Sequence, residues 1–282
     1  MMTFRITFLG TGGGRHTTIY QSRSTGGMLI DHDGKNLNVD PGPGALVQMH
    51  RIHYDPFKTM SLIISHCHPD HYSDAESIIE GMSHGGWIHR GNLYGSETVI
   101  RGLNGLGPCI SPYHLGLLVT YNIFEPGDVL NIDGLKTEIK KADHSDPTNV
   151  GFIFHTAHGK VAYVSDTVFT REIAEQYVGC RVLILPVTTP AGEHIKYHLN
   201  TDDAAEFAKI VRPELVILVH LGIVMLAKDP EAQARIIEDR SGIKTIAGRD
   251  LMVLDVEEDL VISYARVYND NWIPDSAPLP KS

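Results

Sequence analysis

Hydrophobic positions along the chain fall into short runs separated by glycine, proline and acidic turns. Phe4 to Leu9 alternates apolar and polar residues and predicts a strand, ending in Gly10-Thr11-Gly12-Gly13-Gly14. Met28 to Asp31 and Leu37 to Asp40 predict two strands about the turn His32-Asp33-Gly34. Asp40-Pro41-Gly42-Pro43-Gly44 is a tight turn, and Ala45 to Ile52 reads as a helix. Leu62 to Ser65 is a short apolar strand running into His66, and Asp74 to Met82 reads as a helix capped by Asp or Ser. The segment from Trp87 to Glu138 is rich in Gly and Pro, with strands expected near Leu93, Val119 and Leu130. Its residues 85–135 are expected to form part of a pocket wall.

The second half is more regular. Thr137 to Lys141, Gly151 to Thr156 and Val161 to Ser165 predict strands, followed by a helix over Phe169 to Tyr177 and a buried strand over Val182 to Pro186. Thr201 is expected to cap a helix with Asp202 and Asp203 in its first turn, where negative charge suits the helix dipole. Leu215 to Val219 predicts a strand ending at His220. Asp229-Pro230 opens a helix that Gly242 closes, and Leu251 to Val256 and Leu260 to Tyr264 predict the last strands. Strands outnumber helices, and neither a repeat nor a linker interrupts them. The pattern predicts one α/β (or α+β) domain over 1–273 and an unstructured tail over 274–282. The glycine cluster reads as a turn rather than a dinucleotide fingerprint, because no helix with a suitable apolar stripe follows it.

Composition narrows the function. The chain has 282 residues, 24 basic and 34 acidic, for a formal charge of −10. This charge argues against a general nucleic-acid binder, which usually carries a basic stripe. Three widely spaced cysteines, Cys67, Cys109 and Cys180, do not suggest a disulfide scaffold and fit a reducing compartment. Met1 to Gly10 shows no basic start before an apolar core, so no signal peptide is expected. Leu215 to Ala227, the longest apolar run, is too short for a bilayer span and contains His220. A soluble, cytoplasmic protein without membrane attachment is expected. The outlying count is 16 histidines against 2 tryptophans and 8 phenylalanines, which raises metal chemistry.

The segment His66-Cys67-His68-Pro69-Asp70-His71 concentrates that chemistry. Alternate residues leaving a strand point the same way, so His66 and His68 can converge on one ion. The turn at Pro69 then redirects Asp70 and His71 toward a second point. Imidazole and carboxylate together suit Zn, Fe or Mn. Neutral histidines this dense would be costly to bury without partners. Cys67 is expected to point away from such a site, as a small packing residue.

The HxHxDH spacing resembles the metallo-β-lactamase superfamily. That resemblance implies a four-layer αββα sandwich, two packed sheets flanked by helices. It further implies a third histidine, supplied by His144 in Ala142-Asp143-His144-Ser145, a bridging aspartate, supplied by Asp166, and a last histidine after a buried strand, supplied by His220. Carried over, His66, His68 and His144 would hold one divalent metal and Asp70, His71 and His220 a second, with Asp166 between them. Zinc is the first expectation, with Mn and Fe as alternatives.

Within the superfamily, Phe8 to Gly14, Asp143-His144-Ser145 and the run from His198 to His220 are similar to the ribonuclease Z-like branch. This implies that His198 assists the leaving group, that a hydroxide bridging two metals attacks, with Asp70 orienting it, and that the protein is a homodimer. In transfer-RNA-processing members of the common bacterial and archaeal form a long RNA-gripping arm lies between the third histidine and the bridging aspartate. Here 21 residues separate His144 from Asp166, counted as 166 − 144 − 1, enough for two strands and a turn. With the acidic charge, this favours a small or exposed phosphate ester over RNA. The expected activity is a dinuclear metal-dependent phosphodiesterase. RNA 3′-processing and lactone or thioester hydrolysis are the alternatives, and a non-catalytic metal-binding module is the contrasting class. Arg15, His16, Arg23 and Ser24, with Lys196 and Tyr197, are candidates to border the substrate.

Overall fold

The structure, a computed structural model, describes residues 3–277. In chain order its first half contains β1 (Phe4–Phe8), α1 (Arg15–Tyr20), β2 (Met28–His32), β3 (Lys35–Val39), α2 (Ala45–Arg51), β4 (Thr59–Ile64), α3 (Pro69–Tyr72), α4 (Ala75–Met82), β5 (Asn92–Gly95), α5 (Glu97–Ile100), α6 (Pro112–Leu115), β6 (Thr120–Ile123) and β7 (Val129–Ile132). There follow β8 (Leu135–Lys141), β9 (Val150–Thr156), β10 (Gly159–Tyr163), α7 (Arg171–Glu175), β11 (Val182–Pro186), α8 (Thr201–Val211), β12 (Leu215–Val219), α9 (Ile223–Ala227), α10 (Pro230–Ser241), β13 (Thr245–Ala247), β14 (Met252–Val256) and β15 (Leu260–Tyr264).

The strands make two mixed sheets, ordered β15-β14-β1-β2-β3-β4-β5-β6 and β13-β12-β11-β10-β9-β8-β7. Ile6, Phe8, Ile63, Phe152, Phe154 and Ile217 fill the space between them. Helices α2 and α4 cover the first sheet, with Met49, Ile78 and Ile79 against Leu62 and Leu93. Helices α7, α8 and α10 cover the second, with Ile173, Phe207 and Ile237 against Leu183 and Leu218. The result is the four-layer sandwich. Strands buried on both faces lose the alternating pattern: Ile63 faces the inter-sheet core while Leu62 and Ile64 face the helices. In β12, Leu215, Ile217 and Val219 point inward while Val216 and Leu218 point outward.

Strand direction sets the position of the site. β10, β11 and β12 are mutually parallel, and β8 runs the same way because both it and β10 are antiparallel to β9. Their carboxyl ends therefore lie on one edge, where open sheets of this kind bind ligands. His144, Asp166, Thr188 and His220 all follow those ends, and His66 follows the end of β4.

Several local expectations are corrected. Asn200, not Thr201, caps α8: its side chain accepts from the Asp203 amide while Asp203 reaches back to the Asn200 amide. Helix α7 is shorter than the expected 169–177, because Thr170 caps it and accepts from the Ile173 amide. The helix that follows the glycine cluster, α1, has six residues and buries only Thr17, so it carries no apolar stripe, as expected. Residues 274–277, expected in an unstructured tail, form a turn in which Ser276 donates to Asp55. Just upstream, His53 stacks on Tyr268 at 3.8 Å and on Trp272 at 4.8 Å. Residues 278–282 of that expected tail lie outside the described residues.

Candidate metal centre

Five imidazoles lie within 4.0 Å of one carboxylate oxygen, and a sixth joins them. Around Asp166 Oδ2 lie His220 Nε2 at 3.2 Å, His198 Nε2 at 3.4 Å, His71 Nε2 at 3.5 Å, His144 Nε2 at 3.8 Å and His66 Nε2 at 4.0 Å. His68 completes the group through Nδ1, 3.0 Å from His66 Nε2 and 3.1 Å from His144 Nε2. Asp70 Oδ2 is 3.1 Å from His220 Nε2 and 3.9 Å from His71 Nε2. The ligand-type atoms gather as His66, His68, His144 and Asp166, as Asp70, His71 and His220, and as Asp166, His198 and His220.

The same fold element recurs in known proteins. Residues 35–221 match the family described as beta-lactamase superfamily domain. The chain belongs to the beta-lactamase superfamily. An uncharacterized protein of Methanocaldococcus jannaschii is 37% identical over 250 residues, covering 88% of this chain and 93% of that one. The ribonuclease Z of Methanosarcina acetivorans is 29% identical over 144 residues, 51% of this chain and only 46% of that enzyme. Among solved structures, the metallo-β-lactamase fold protein YhfI of Bacillus subtilis superposes with a TM-score of 0.76 at 19% identity, covering 90% of this chain and 99% of that one. A diphosphatase of the PhnP family gives 0.67 at 18%, covering 91% and 99%. As a superfamily member the chain is a hydrolase, and its His/Asp clusters support divalent metal use.

The residues present fit such ions. His71 Nε2 and Asp166 Oδ1 are buried with no hydrogen-bond partner, although buried polar atoms are ordinarily paired. Burial pushes His144 down to about 4, against the opposing pull of Asp166. Burial, reinforced by the neighbouring His71, holds His66 well below its ordinary value. Both therefore offer neutral nitrogens, the form a metal requires. Burial alone would lower His71, but the Asp70 and Asp166 carboxylates outweigh it and hold the imidazole well above its ordinary value. Burial would raise Asp166, yet His220 and His71 hold its carboxyl well below the usual range.

The outward-facing ring nitrogens are held by a second set of partners. Asp40 accepts from the Ser65 amide and hydroxyl at 2.7 Å each and from the Tyr163 hydroxyl at 2.8 Å, and it lies 2.9 Å from His71 Nδ1. His66 Nδ1 lies 3.0 Å from Ser65 Oγ, His144 Nδ1 3.0 Å from the Tyr197 carbonyl, and His220 Nδ1 2.9 Å from Thr188 Oγ1. Asp146 accepts from the Cys67 amide at 3.0 Å and from Thr98 Oγ1 at 2.6 Å, anchoring the HxHxDH loop. Such partners fix ring orientation and tautomer. Asp40, Ser165, Tyr197 and His220 all adopt the left-handed backbone region, with φ between 51° and 66°. Non-glycine residues there are uncommon and concentrate at functional sites.

The sequence reading located the histidines and missed this support. Asp40 stood out only as part of a turn, although an acid at a strand end before Pro-Gly-Pro-Gly is a signal that could have marked it. The glycine cluster also has a role beyond turning. A Cβ on Gly13 would lie 2.1 Å from the His220 ring, and the Gly14 amide donates to Asp70 Oδ2 at 2.8 Å. Arg15 and His16 line the cavity over the cluster, with Lys196, Tyr197 and His198. Arg23 and Ser24 do not: Arg23 donates to Thr11 Oγ1 and the Gly248 carbonyl, and Ser24 is buried. Nor do residues 85–135; the lining comes from residues 14–19, 68–70 and 145–198. His194 Nδ1 lies 3.0 Å from Asn200 Nδ2, and His194 is not among the clustered ligand-type residues. Cys67 packs in the apolar cluster beneath α4.

Proposed function

We propose that this chain is a dinuclear metal-dependent phosphodiesterase acting on small or exposed phosphate esters. The observation that carries the reading is the convergence of His66, His68, His71, His144, His198 and His220 on Asp166, with His71 Nε2 and Asp166 Oδ1 left buried and unpartnered. His66, His68 and His144 would hold one cation, Asp70, His71 and His220 the other, with Asp166 shared; zinc suits this nitrogen-rich set, and Mn or Fe would also be accepted. Divalent cations supply, when bound, charge that polarises the ester and acidifies water.

The chain's own groups do the rest. Asp70 lies at the cavity floor, where its carboxylate orients the attacking water. His198 lines the same cavity, and its Nδ1 donates to the Lys196 carbonyl at 3.0 Å. In that tautomer Nε2 carries a proton only in the imidazolium. Burial opposes that form, but the hydrogen bond to Asp166 raises His198 above its ordinary value. His198 Nε2, beside Asp166 and facing the cavity, is placed to give a proton to the departing oxygen. The interval between His144 and Asp166 is occupied by the hairpin β9–β10, with no projecting segment for gripping RNA. This supports a compact substrate.

Elemental analysis paired with hydrolysis of bis(p-nitrophenyl) phosphate tests the reading. Asp166→Ala is expected to lose bound metal and turnover together. Full occupancy and full activity in that variant would sink the dinuclear assignment. His198→Ala is expected to keep its metal and to slow by roughly 10²–10⁴-fold on esters with poor leaving groups. Hydrolysis of lactones or thioesters but of no phosphodiester would replace the substrate class.

A further inference from the structure

The cluster forms the floor of a cavity of about 770 Å³, inside the range of pockets that enclose a drug-sized molecule. A scissile phosphate alone would leave most of that space empty. The walls come from two segments, α1 and residues 195–198. Each brings one apolar side chain that water reaches freely, Ile19 at 69% exposure and Ile195 at 47%. Each also brings one exposed cation, Arg15 and Lys196. The carboxylates lining the cavity are Asp70 and Asp166, both in the cluster, so no wall acid neutralises these cations. Lys196 Nζ lies 4.5 Å from the centre of the Tyr197 ring, which also faces the cavity. On the other wall the His16 ring stacks on Tyr20 with an interplanar angle of 14°.

Two cations beyond reach of any wall acid, on a chain of net charge −10, imply an anionic group beyond the one held at the floor. Exposed isoleucines and a tyrosine face beside them suit a flat, partly apolar body. We propose that the cavity takes a nucleoside phosphodiester carrying a second phosphate, with Arg15 and Lys196 recognising that second phosphate. This inference rests on the phosphodiesterase reading. In the reaction, water adds to phosphorus at the floor, the P–O bond to the leaving alcohol breaks, and the alcohol oxygen takes up a proton. The second phosphate is bound and unchanged.

Three esters that release p-nitrophenol separate the two ideas: bis(p-nitrophenyl) phosphate, thymidine 5′-(p-nitrophenyl phosphate) and the same thymidine ester with a 3′-phosphate. The metal-loaded protein is expected to favour the 3′-phosphorylated ester over its parent by about tenfold in kcat/KM, mostly through KM. Arg15→Ala and Lys196→Ala should each shrink that ratio, and the double variant should bring it near one; Arg15→Lys should retain part of it. Calorimetry gives a second readout: adenosine 3′,5′-bisphosphate should bind about tenfold more tightly than adenosine 5′-monophosphate, and the double variant should lose the difference. A ratio near one in the unmodified protein, or a ratio indifferent to both substitutions, overturns the proposal while leaving the phosphodiesterase reading intact. If none of the three esters is hydrolysed, the phosphodiesterase reading falls and the proposal falls with it.

Discussion

Asp40 shows how much one buried side chain holds in this centre. A single carboxylate meets the Ser65 amide, the Ser65 hydroxyl, the Tyr163 hydroxyl and His71 Nδ1. Asn in its place keeps the shape but substitutes a donor for one acceptor oxygen, so it faces Ser65, Tyr163 and His71 with one mismatched contact or more. Asp40→Asn is therefore expected to weaken metal affinity by about 10–100-fold without unfolding the chain. Titration with a chelator, read by metal content, checks this; affinity equal to the unmodified protein would show that Asp40 does not position His71. The contrast with the HxHxDH segment explains what the sequence discloses at this scale. His66, His68, Asp70 and His71 are legible because they sit within six positions. Asp40 meets Ser65, His71 and Tyr163 across separations of 25, 31 and 123 residues, and nothing local announces those meetings.

Elements long enough to show their period were legible from their pattern, and the shortest ones were missed. β11 and β12 are buried at every position and read directly as strands. The four-residue helices α5 and α6 are too short to show a helical period, and β13 has only three residues. The glycine cluster was legible as a turn, but its close approach to His220 belongs to packing between distant elements. Gly13→Ala is expected to destabilise by roughly 1–3 kcal/mol and to displace His220, lowering occupancy of the cluster that contains it. A urea midpoint and metal content unchanged from the parent would contradict that. Three strands also meet through one acid. Glu138 on β8 pairs with Lys140, His155 on β9 and Lys160 on β10. Burial opposes its ionisation, but these partners outweigh it, Lys140 first, and draw its carboxyl down to about 2. A depressed carboxylate stabilises the fold above its unfolded value of about 4.5 and loses that contribution as the pH falls toward about 2. Glu138→Gln should therefore be less stable than the parent at pH 7, by up to about 1 kcal/mol because the pairs are partly solvated, and the gap should narrow as the pH falls below about 4.5. Urea midpoints at pH 7, 5 and 3.5 measure it, and a gap that widens toward acid would refute the linkage.

Across the whole molecule, the core and the centre are separable. The inter-sheet layer of Ile6, Phe8, Ile63, Phe152, Phe154 and Ile217 holds the sheets together without any contribution from the histidines. The centre lies at one edge of that sandwich, where strand ends from both sheets bring imidazoles within 4.0 Å of Asp166. Removing metal should thus leave the fold standing but strain its edge, since buried Asp166 Oδ1 and His71 Nε2 then have no partner. Binding to the native state alone stabilises it by mass action, about 4 kcal/mol when the ion stands at a thousand times its Kd. For a domain of this size that corresponds to roughly 10 °C in Tm. Treatment with a chelator is expected to lower Tm by about this amount, to leave the far-ultraviolet circular dichroism unchanged, and to be reversed by restoring a divalent ion. Asp166→Ala should show the lower Tm at the outset and gain little from added metal. A chelated protein that melts where the loaded protein melts would mean that the histidines do not hold an ion. One that loses its secondary structure would mean that the two-sheet core depends on the centre after all.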